Sequence, residues 1–309
     1  LLSIACVSGT SMKELGLVKA NQEVNLKKLC CLYRKEQSMN DNMKIYIPTR
    51  GRIATQTTWN SIGDWARANA CLVCPEDEMS YHVKYGRNCL SRGDIKGINK
   101  VRDFIMHHAI DHDIEKVIML DDDLIFGRRA SNDAPNLRKT TQEEMEQLWQ
   151  RICNLLDTYI HVGVSPRQMN DKHFPAVTKY GMRMNAVHGI RPYDLSIREV
   201  YYSDVELMED YYVTLSLFAK GQPNATIVDW TWDQRGGSGQ SGGCSNYRTP
   251  DLQEKASHKL AELFPDFVKV VEKETKTGWD NMKRRVDVRV QWQRAFKAGC
   301  PKFNPSGAN

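Results

Sequence analysis

Long apolar runs are missing from this sequence. No stretch approaches the roughly 18 residues that a membrane-spanning helix needs, so no membrane partner is expected. The opening Leu1-Leu2-Ser3-Ile4-Ala5-Cys6-Val7 is short and has no basic flank, so it does not read as a signal peptide. A disulfide framework is also missing: the nine cysteines are odd in number and scattered, which fits a reducing cytoplasm. Cys71-Leu72-Val73-Cys74 stands without a second pair or histidines at ligand spacing, so it reads as two small apolar residues in a strand rather than a zinc site. Repeats and heptads are lacking as well. What remains is an ordinary globular composition, 41% hydrophobic and 26% charged, in a chain of 309 residues, ample for a sizeable core.

The charge is uneven. From Lys276 onward eight Lys or Arg face only Asp280 and Asp287, so this segment carries +6 of a net +5 and the rest sums to −1. A mildly acidic body with a basic end points to a polyanionic partner.

Residues 1–42 read as an accessory: an upstream extension, a non-native remnant or a loosely attached helix. They are polar and weakly periodic, and Met39 and Met43 are both candidate starts. A core is expected over 43–250, with helices and a basic strand over 251–309 packed on it. From Met43 the pattern alternates between strands and helices. Lys44–Pro48 reads as a strand, Thr57–Ala68 as a helix, Ala70–Cys74 as a strand, Asp94–Ala109 as a helix and Lys116–Leu120 as a continuous apolar strand. That order implies a βαβαβ half-sheet. Beyond it, Thr141–Tyr159 reads as a helix, His161–Val164 and Met182–Val187 as strands, Asp210–Lys220 as a helix ended by Gly221, and Ala225–Trp232 as a strand. Two helices are expected over Asp251–Phe264 and Asp266–Glu274, then an extended arm in which Val286, Val288 and Val290 alternate with Arg285, Asp287 and Arg289.

The sharpest chemical signal is Asp121-Asp122-Asp123, directly after Val117-Ile118-Met119-Leu120. Three adjacent carboxylates repel one another, and a cation relieves that repulsion. On an extended chain Asp121 and Asp123 would point one way and Asp122 the other. Hard oxygen ligands suit Mg2+ or Mn2+, which takes one or two carboxylates plus diphosphate oxygens. Acidic caps of a solvated loop are the plain alternative. A dehalogenase-type phosphatase also uses Asp-x-Asp, but there the motif opens the domain and runs on to a Thr. Here two strands precede it, and Leu124 follows.

At the end of the first strand, Arg50 and Arg52 can hold phosphate or stack on a base; a basic surface turn is the plain reading. Glu209 and Asp210 open a helix, where they either cap it or serve as a general base at an acceptor hydroxyl. The GxGxxG of Gly237–Gly242 lies in a Gly/Ser loop with no helix after it, so it is not a dinucleotide site; a closing loop or a linker fits better.

In this order the motifs resemble the GT-A glycosyltransferases, especially the inverting ones. The resemblance rests on Pro48-Thr49-Arg50 closing the first strand, Gly97-Ile98-Asn99-Lys100-Val101-Arg102 ahead of the metal motif, the aspartate triplet, and Glu209-Asp210. It runs from about Met43 to Thr249 and implies an α/β fold: a Rossmann-like mixed sheet flanked by helices, with a helical and extended C-terminal part. It further implies a UDP-sugar donor with Mn2+ or Mg2+ on Asp121 and Asp123. The donor would lie along Pro48, Thr49, Arg50, Arg52, Glu76, Gly97, Arg102 and Asp122, and Asp210, preceded by Glu209, would be the base. The third metal ligand of many such enzymes has no clear counterpart; His188, Asp229 and Asp233 are candidates.

More narrowly, Ile47-Pro48-Thr49-Arg50-Gly51-Arg52, Asp121-Asp122-Asp123-Leu124 and the Arg235–Thr249 stretch resemble the phage TET-associated glycosyltransferases. That likeness implies 5-hydroxymethyl-pyrimidine in phage DNA as acceptor and an infected host cytoplasm as location. The basic end is a separate line: Arg285 and Arg289 share a face of the late strand that can track phosphates, and Trp279 or Trp292 either stacks where a base is flipped out or belongs to the core, while a tail that only aids solubility is the plain alternative. Transfer to a glycan or a protein, nucleotidyl transfer, and a non-catalytic DNA-binding module are the other readings.

Overall fold

The computed structural model describes residues 43–305 except 132, 169, 235–248 and 280–281, with no side-chain detail over 275–283. The segment 1–42, the Gly/Ser loop and the Trp279 side chain therefore lie outside the described residues. Met43 onward forms one compact unit.

Along the chain, β1 (Met43–Pro48) leads through α1 (Thr57–Ser61) and α2 (Asp64–Asn69) to β2 (Ala70–Cys74). Next come α3 (Glu76–Lys84), β3 (Cys89–Ser91), α4 (Ile98–Asp111) and β4 (Lys116–Leu120). Then follow β5 (Leu124–Arg129), β6 (Leu137–Lys139), α5 (Gln142–Leu156), β7 (His161–Pro166), β8 (Thr178–Tyr180) and β9 (Val187–Ile190). The chain continues with α6 (Pro192–Ser196), α7 (Glu209–Ala219), β10 (Ala225–Gln234), α8 (Pro250–Leu263), β11 (Val268–Trp279), β12 (Met282–Val290) and α9 (Trp292–Gly299).

Ten strands make one mixed sheet in the order β3-β2-β1-β4-β9-β7-β10-β5-β6, with β8 on β10. The first four are parallel, as their helical crossovers require. β9 enters antiparallel to both β4 and β7. Every residue of β4 is buried, matching its unbroken apolar sequence between two covered faces. One face is closed by α4 and α7 around Tyr46, Ile105, Met119, Val213 and Leu217. A second core joins α7 to the C-terminal elements through Phe218, Leu260, Val268, Val288 and Phe296. This is an α/β fold, one mixed sheet flanked by helices with a helical and extended C-terminal part.

Several expectations need correction. The helix over Thr57–Ala68 is two short helices, because Gly63 between them sits at φ 87°, outside helical backbone, and a Cβ there would come within 2.9 Å of Gln142 Oε1. The stretch Asp266–Glu274 is not helical but enters β11: its run of Val268, Val270 and Val271 zips in antiparallel register with β12, and that partner outweighs local helix preference. The strand expected over Met182–Val187 begins only at Val187, because Ala186 at φ 57° leaves the extended region. The helix expected from Asp94 starts at Ile98, after Gly97 at φ 92°. Cys71 and Cys74 are strand residues without a disulfide, and burial pushes both thiols up to about 12.

Candidate active site

β1 and β4 are parallel neighbours, and the strand order reverses between them. In such sheets the crevice beyond the carboxyl ends at that switch point is the natural ligand site. Both conspicuous motifs emerge there, Thr49–Arg52 from β1 and Asp121–Asp123 from β4.

The aspartate triplet is a turn, not an extended chain, so strand alternation does not govern it. Thr58, fully buried at the start of α1, clips it at both ends. Its hydroxyl donates to the Asp121 carbonyl at 2.5 Å and accepts from the Leu124 amide at 2.8 Å, while its own amide donates to the Asp122 carbonyl at 3.2 Å. Thr58→Val keeps the shape but orphans a buried carbonyl and amide, so it should cost about 1–3 kcal/mol, read as a lower urea midpoint with the m-value unchanged. An unchanged midpoint would remove the clip.

The turn distributes the three carboxylates. Asp122 accepts from the Thr49 hydroxyl at 2.6 Å and from the Arg52 guanidinium. Arg52 also reaches Asp123 at 3.2 Å, and the Gln234 side-chain amide donates to Asp123 at 3.2 Å from the end of β10. Gln56, fully buried, donates to the Thr49 hydroxyl at 2.7 Å and to the Arg52 carbonyl at 3.0 Å, locking the mouth of β1. Asp121 takes a different partner, the Arg102 guanidinium at 3.0 Å. Thus Asp122 and Asp123 share one arginine and Asp121 stands apart, contrary to the pairing of Asp121 with Asp123 expected from alternation.

Burial pushes the Asp121 carboxyl up to about 7; the neighbouring aspartates add to that push and Arg102 opposes it. Its side chain keeps 32% of its surface exposed, the most open of the three, so water moderates the push. Asp122 is raised by burial against the pull of Arg52 and the Thr49 hydroxyl.

Arg102, on the buried face of α4, carries the arrangement across the crevice. Its other arm donates to Glu209 at 2.5 Å. Glu209 and Asp210 form the first turn of α7, whose entry residue Met208 sits at φ 61°, a left-handed conformation uncommon for a side chain of that size. Both carboxylates are buried, and the helix N-terminus favours their charge. Asp210 is gripped by Arg183, whose Nε and Nη2 both donate to Oδ2, at 2.8 and 2.6 Å. Arg183 is itself set by the Tyr211 hydroxyl at 2.8 Å and lies 3.9 Å from that ring's centre.

Of the residues singled out in the sequence, the structure brings Thr49, Arg52, Arg102, the three aspartates and Glu209 into one network, with Asp210 beside it on α7. Pro48 closes β1, and Gly97 caps α4 one turn before Arg102. Arg50 and Glu76 are exposed outside the network; it is Glu78 that accepts from the Gly51 amide, at 2.9 and 3.0 Å. Among the candidates for a third metal ligand, His188 is fully buried against His161, Asp229 is paired with Arg151 at 2.6 Å, and only Asp233 lies next to Gln234 at the crevice, paired with Arg167 at 3.5 Å. Arg285 and Arg289 are on β12, on the face opposite the valines. Trp292 packs on Tyr211, with ring centres 5.4 Å apart. Gln56, Thr58, Arg183 and Gln234 were not legible beforehand. Only Thr58, a hydroxyl opening the helix after β1, offered any signal.

A family model described as TET-Associated Glycosyltransferase matches residues 43–243, about two thirds of the chain and all of this network. The chain belongs to that family. It is a glycosyltransferase, and the crevice just described lies within the matched region. The fold is similar to that of S. aureus TarS, at 10% identity and TM-score 0.44, covering 73% of this chain and 40% of that one. It is likewise similar to S. aureus TarS 1-349 in complex with UDP, at 11% identity and TM-score 0.44 over 72% of this chain and 64% of that one. GalNAc-T7 with UDP, GalNAc and Mn2+ is similar at 10% identity and TM-score 0.44, over 73% of this chain and 49% of that one. This glycosyltransferase therefore spans less than two thirds of each of these chains. No curated protein matches it. No helix among the described residues is long and apolar enough to cross a membrane.

Proposed function

We propose that this glycosyltransferase moves a sugar from a UDP-sugar to the hydroxyl of a 5-hydroxymethyl-pyrimidine in DNA, with a divalent cation at the aspartate turn. The observation that carries the reading is Arg102. One buried guanidinium joins Asp121, on the turn where a diphosphate would sit, to Glu209, on the helix that would supply the base. Donor and acceptor ends thereby share one crevice.

The two candidate ligands face different arginines, Asp121 Arg102 and Asp123 Arg52, and a bound cation would draw them together. Asp121 and Asp123 offer hard carboxylate oxygens, suited to Mn2+ or Mg2+. Among the described residues no group of three or more His, Cys, Asp or Glu could hold a metal, so diphosphate oxygens would complete the shell. When bound, such an ion neutralises the charge that develops on the leaving UDP. Thr49, Arg52 and Asp122 form the wall beside the nucleotide, and Arg52 brings a guanidinium to phosphate reach. Asp210 takes the proton of the acceptor hydroxyl as its oxygen attacks the sugar carbon and the bond to the diphosphate breaks. Arg183 holds that carboxylate in place through Oδ2.

The DNA reading rests on the family, whose resemblance implies that acceptor, and on charge. On the β11–β12 hairpin Lys269 faces Arg289 and Lys273 faces Arg285, four cations on one side. Asp287 sits among them. Burial would push its carboxyl up, but Lys273, the Val288 amide and Arg285 outweigh that and hold it below the usual range. Arg285 is thus partly committed to Asp287, and Arg289 is the more exposed of the two arginines.

The test is to incubate the enzyme with mixed UDP-sugars and either hydroxymethylated or plain DNA, with and without Mn2+, and to weigh the released nucleosides. A hexose or acetylhexosamine adduct is expected only on hydroxymethylated DNA, only with the ion present. Donor turnover on a glycan with no DNA adduct would sink the acceptor; full transfer in a chelator would sink the metal.

A further inference from the structure

A cavity of about 670 Å³ lies outside the crevice, between the segment around β8 and α9. Its walls include the rings of Tyr180, Phe296 and Phe303, and Lys179 and Lys297 stand at its rim. Tyr180 and Phe303 have ring centres 5.0 Å apart, and both are half-buried. Among the described residues no carboxylate lines the cavity, and neither lysine has an ion pair. His173, also on the wall, is held below its ordinary range by burial first and then by Lys179 and Arg129, which marks the local field as positive.

We propose that this cavity is a docking groove for single-stranded nucleic acid, the strand flanking the nucleotide that receives the sugar. The inference rests on the reading of DNA as acceptor and adds where the strand runs. Half-buried aromatic rings beside lysines without an ion pair among the described residues supply the two components of sequence-independent strand binding: bases stack on the rings while the cations track the phosphates. An anionic occupant meets no repelling carboxylate here. Tyr180 and Arg183 are three residues apart, so even an extended chain keeps their Cα atoms within about 11 Å, and Arg183 is the residue that holds Asp210. A strand seated on Tyr180 therefore arrives within a few nucleotides of the base.

The experiment is fluorescence anisotropy of a labelled oligothymidine on the full chain at several salt concentrations. The double change Lys179→Gln with Lys297→Gln should weaken binding about tenfold and lower the log–log salt slope by about 1.4, the value for two single-strand phosphate contacts. Phe303→Leu should weaken binding about tenfold with the slope unchanged, because it removes stacking and no charge. Lys179 and Lys297 are exposed, so matching melting curves will certify the double variant as folded. A wild-type chain that fails to bind the strand overturns the groove, as does a lysine variant with wild-type affinity and slope, or capture of an acidic glycan in place of the strand. Binding with the expected slope but no sugar on hydroxymethylated DNA would leave the groove standing and remove the acceptor reading. Normal sugar transfer to DNA with strand affinity insensitive to both lysines would do the reverse.

Discussion

Asp210→Asn should leave UDP binding intact and lower sugar transfer by about 100-fold or more, the usual scale for losing a general base. The substitution preserves shape and removes charge. Arg183 donates twice to Oδ2, and an asparagine carbonyl can still accept those donors, so the side chain stays in place while its capacity to take a proton is gone. Initial rates of transfer and calorimetric UDP titration separate the two effects. Glu209→Gln is the informative companion. Glu209 is bonded to Arg102 at 2.5 Å, so its loss disturbs the link to Asp121 and should weaken donor binding as well as turnover. An Asp210→Asn enzyme with wild-type turnover would move the base to Glu209 or point to a mechanism with no carboxylate base.

Arg102→Met should destabilise the fold by about 3–5 kcal/mol, the cost of removing one partner from a buried ion pair. Arg102 is 4% exposed and serves two carboxylates on different elements, Asp121 after β4 and Glu209 on α7. Methionine fills much of the volume and removes the guanidinium from both acids. Burial already pushes Asp121 up, and Arg102 is the group opposing it, so the variant's carboxyl should take up a proton and weaken cation binding too. Urea unfolding gives the first quantity and titration with Mn2+ and UDP the second. Adding Glu209→Gln to Arg102→Met should recover part of the stability, because it removes a buried charge that Arg102 no longer faces. A loss below about 1 kcal/mol in the single variant would mean the pair is dispensable and the link across the crevice is not what orders it.

How much of this was legible in the sequence depended on whether a signal was local. Val117–Leu120 read as a doubly covered strand because continuous apolar residues have few other uses, and the Asp run directly after it marked the sheet's carboxyl end. Gly221 at φ 74° after α7 marked a helix end for the same reason: a turn residue acts within one turn of helix. Local reading failed wherever a distant partner decided. Val268–Glu274 carries residues compatible with either state, and only the register with Met282–Val290 makes it a strand. Asp122 and Asp123 share Arg52 because Gln56 and Thr58 fold the triplet into a turn, and no spacing within the triplet encodes that.

The sequence by itself determined the strands β1, β2, β4, β7 and β10 and the helices α4, α5, α7 and α8, the place of the aspartates at a strand end, and the pair of acids opening a late helix, because period, turn chemistry and charge repulsion operate over a few residues. The tertiary structure alone decided which cation serves which carboxylate. Arg102 and Glu209 are 107 residues apart, Arg183 and Asp210 are 27 apart, and Gln234 meets Asp123 across 111. Such pairings are set by how the sheet orders its strands and where the helices lie on it, since an ion pair becomes strong only when packing has already removed both partners from water.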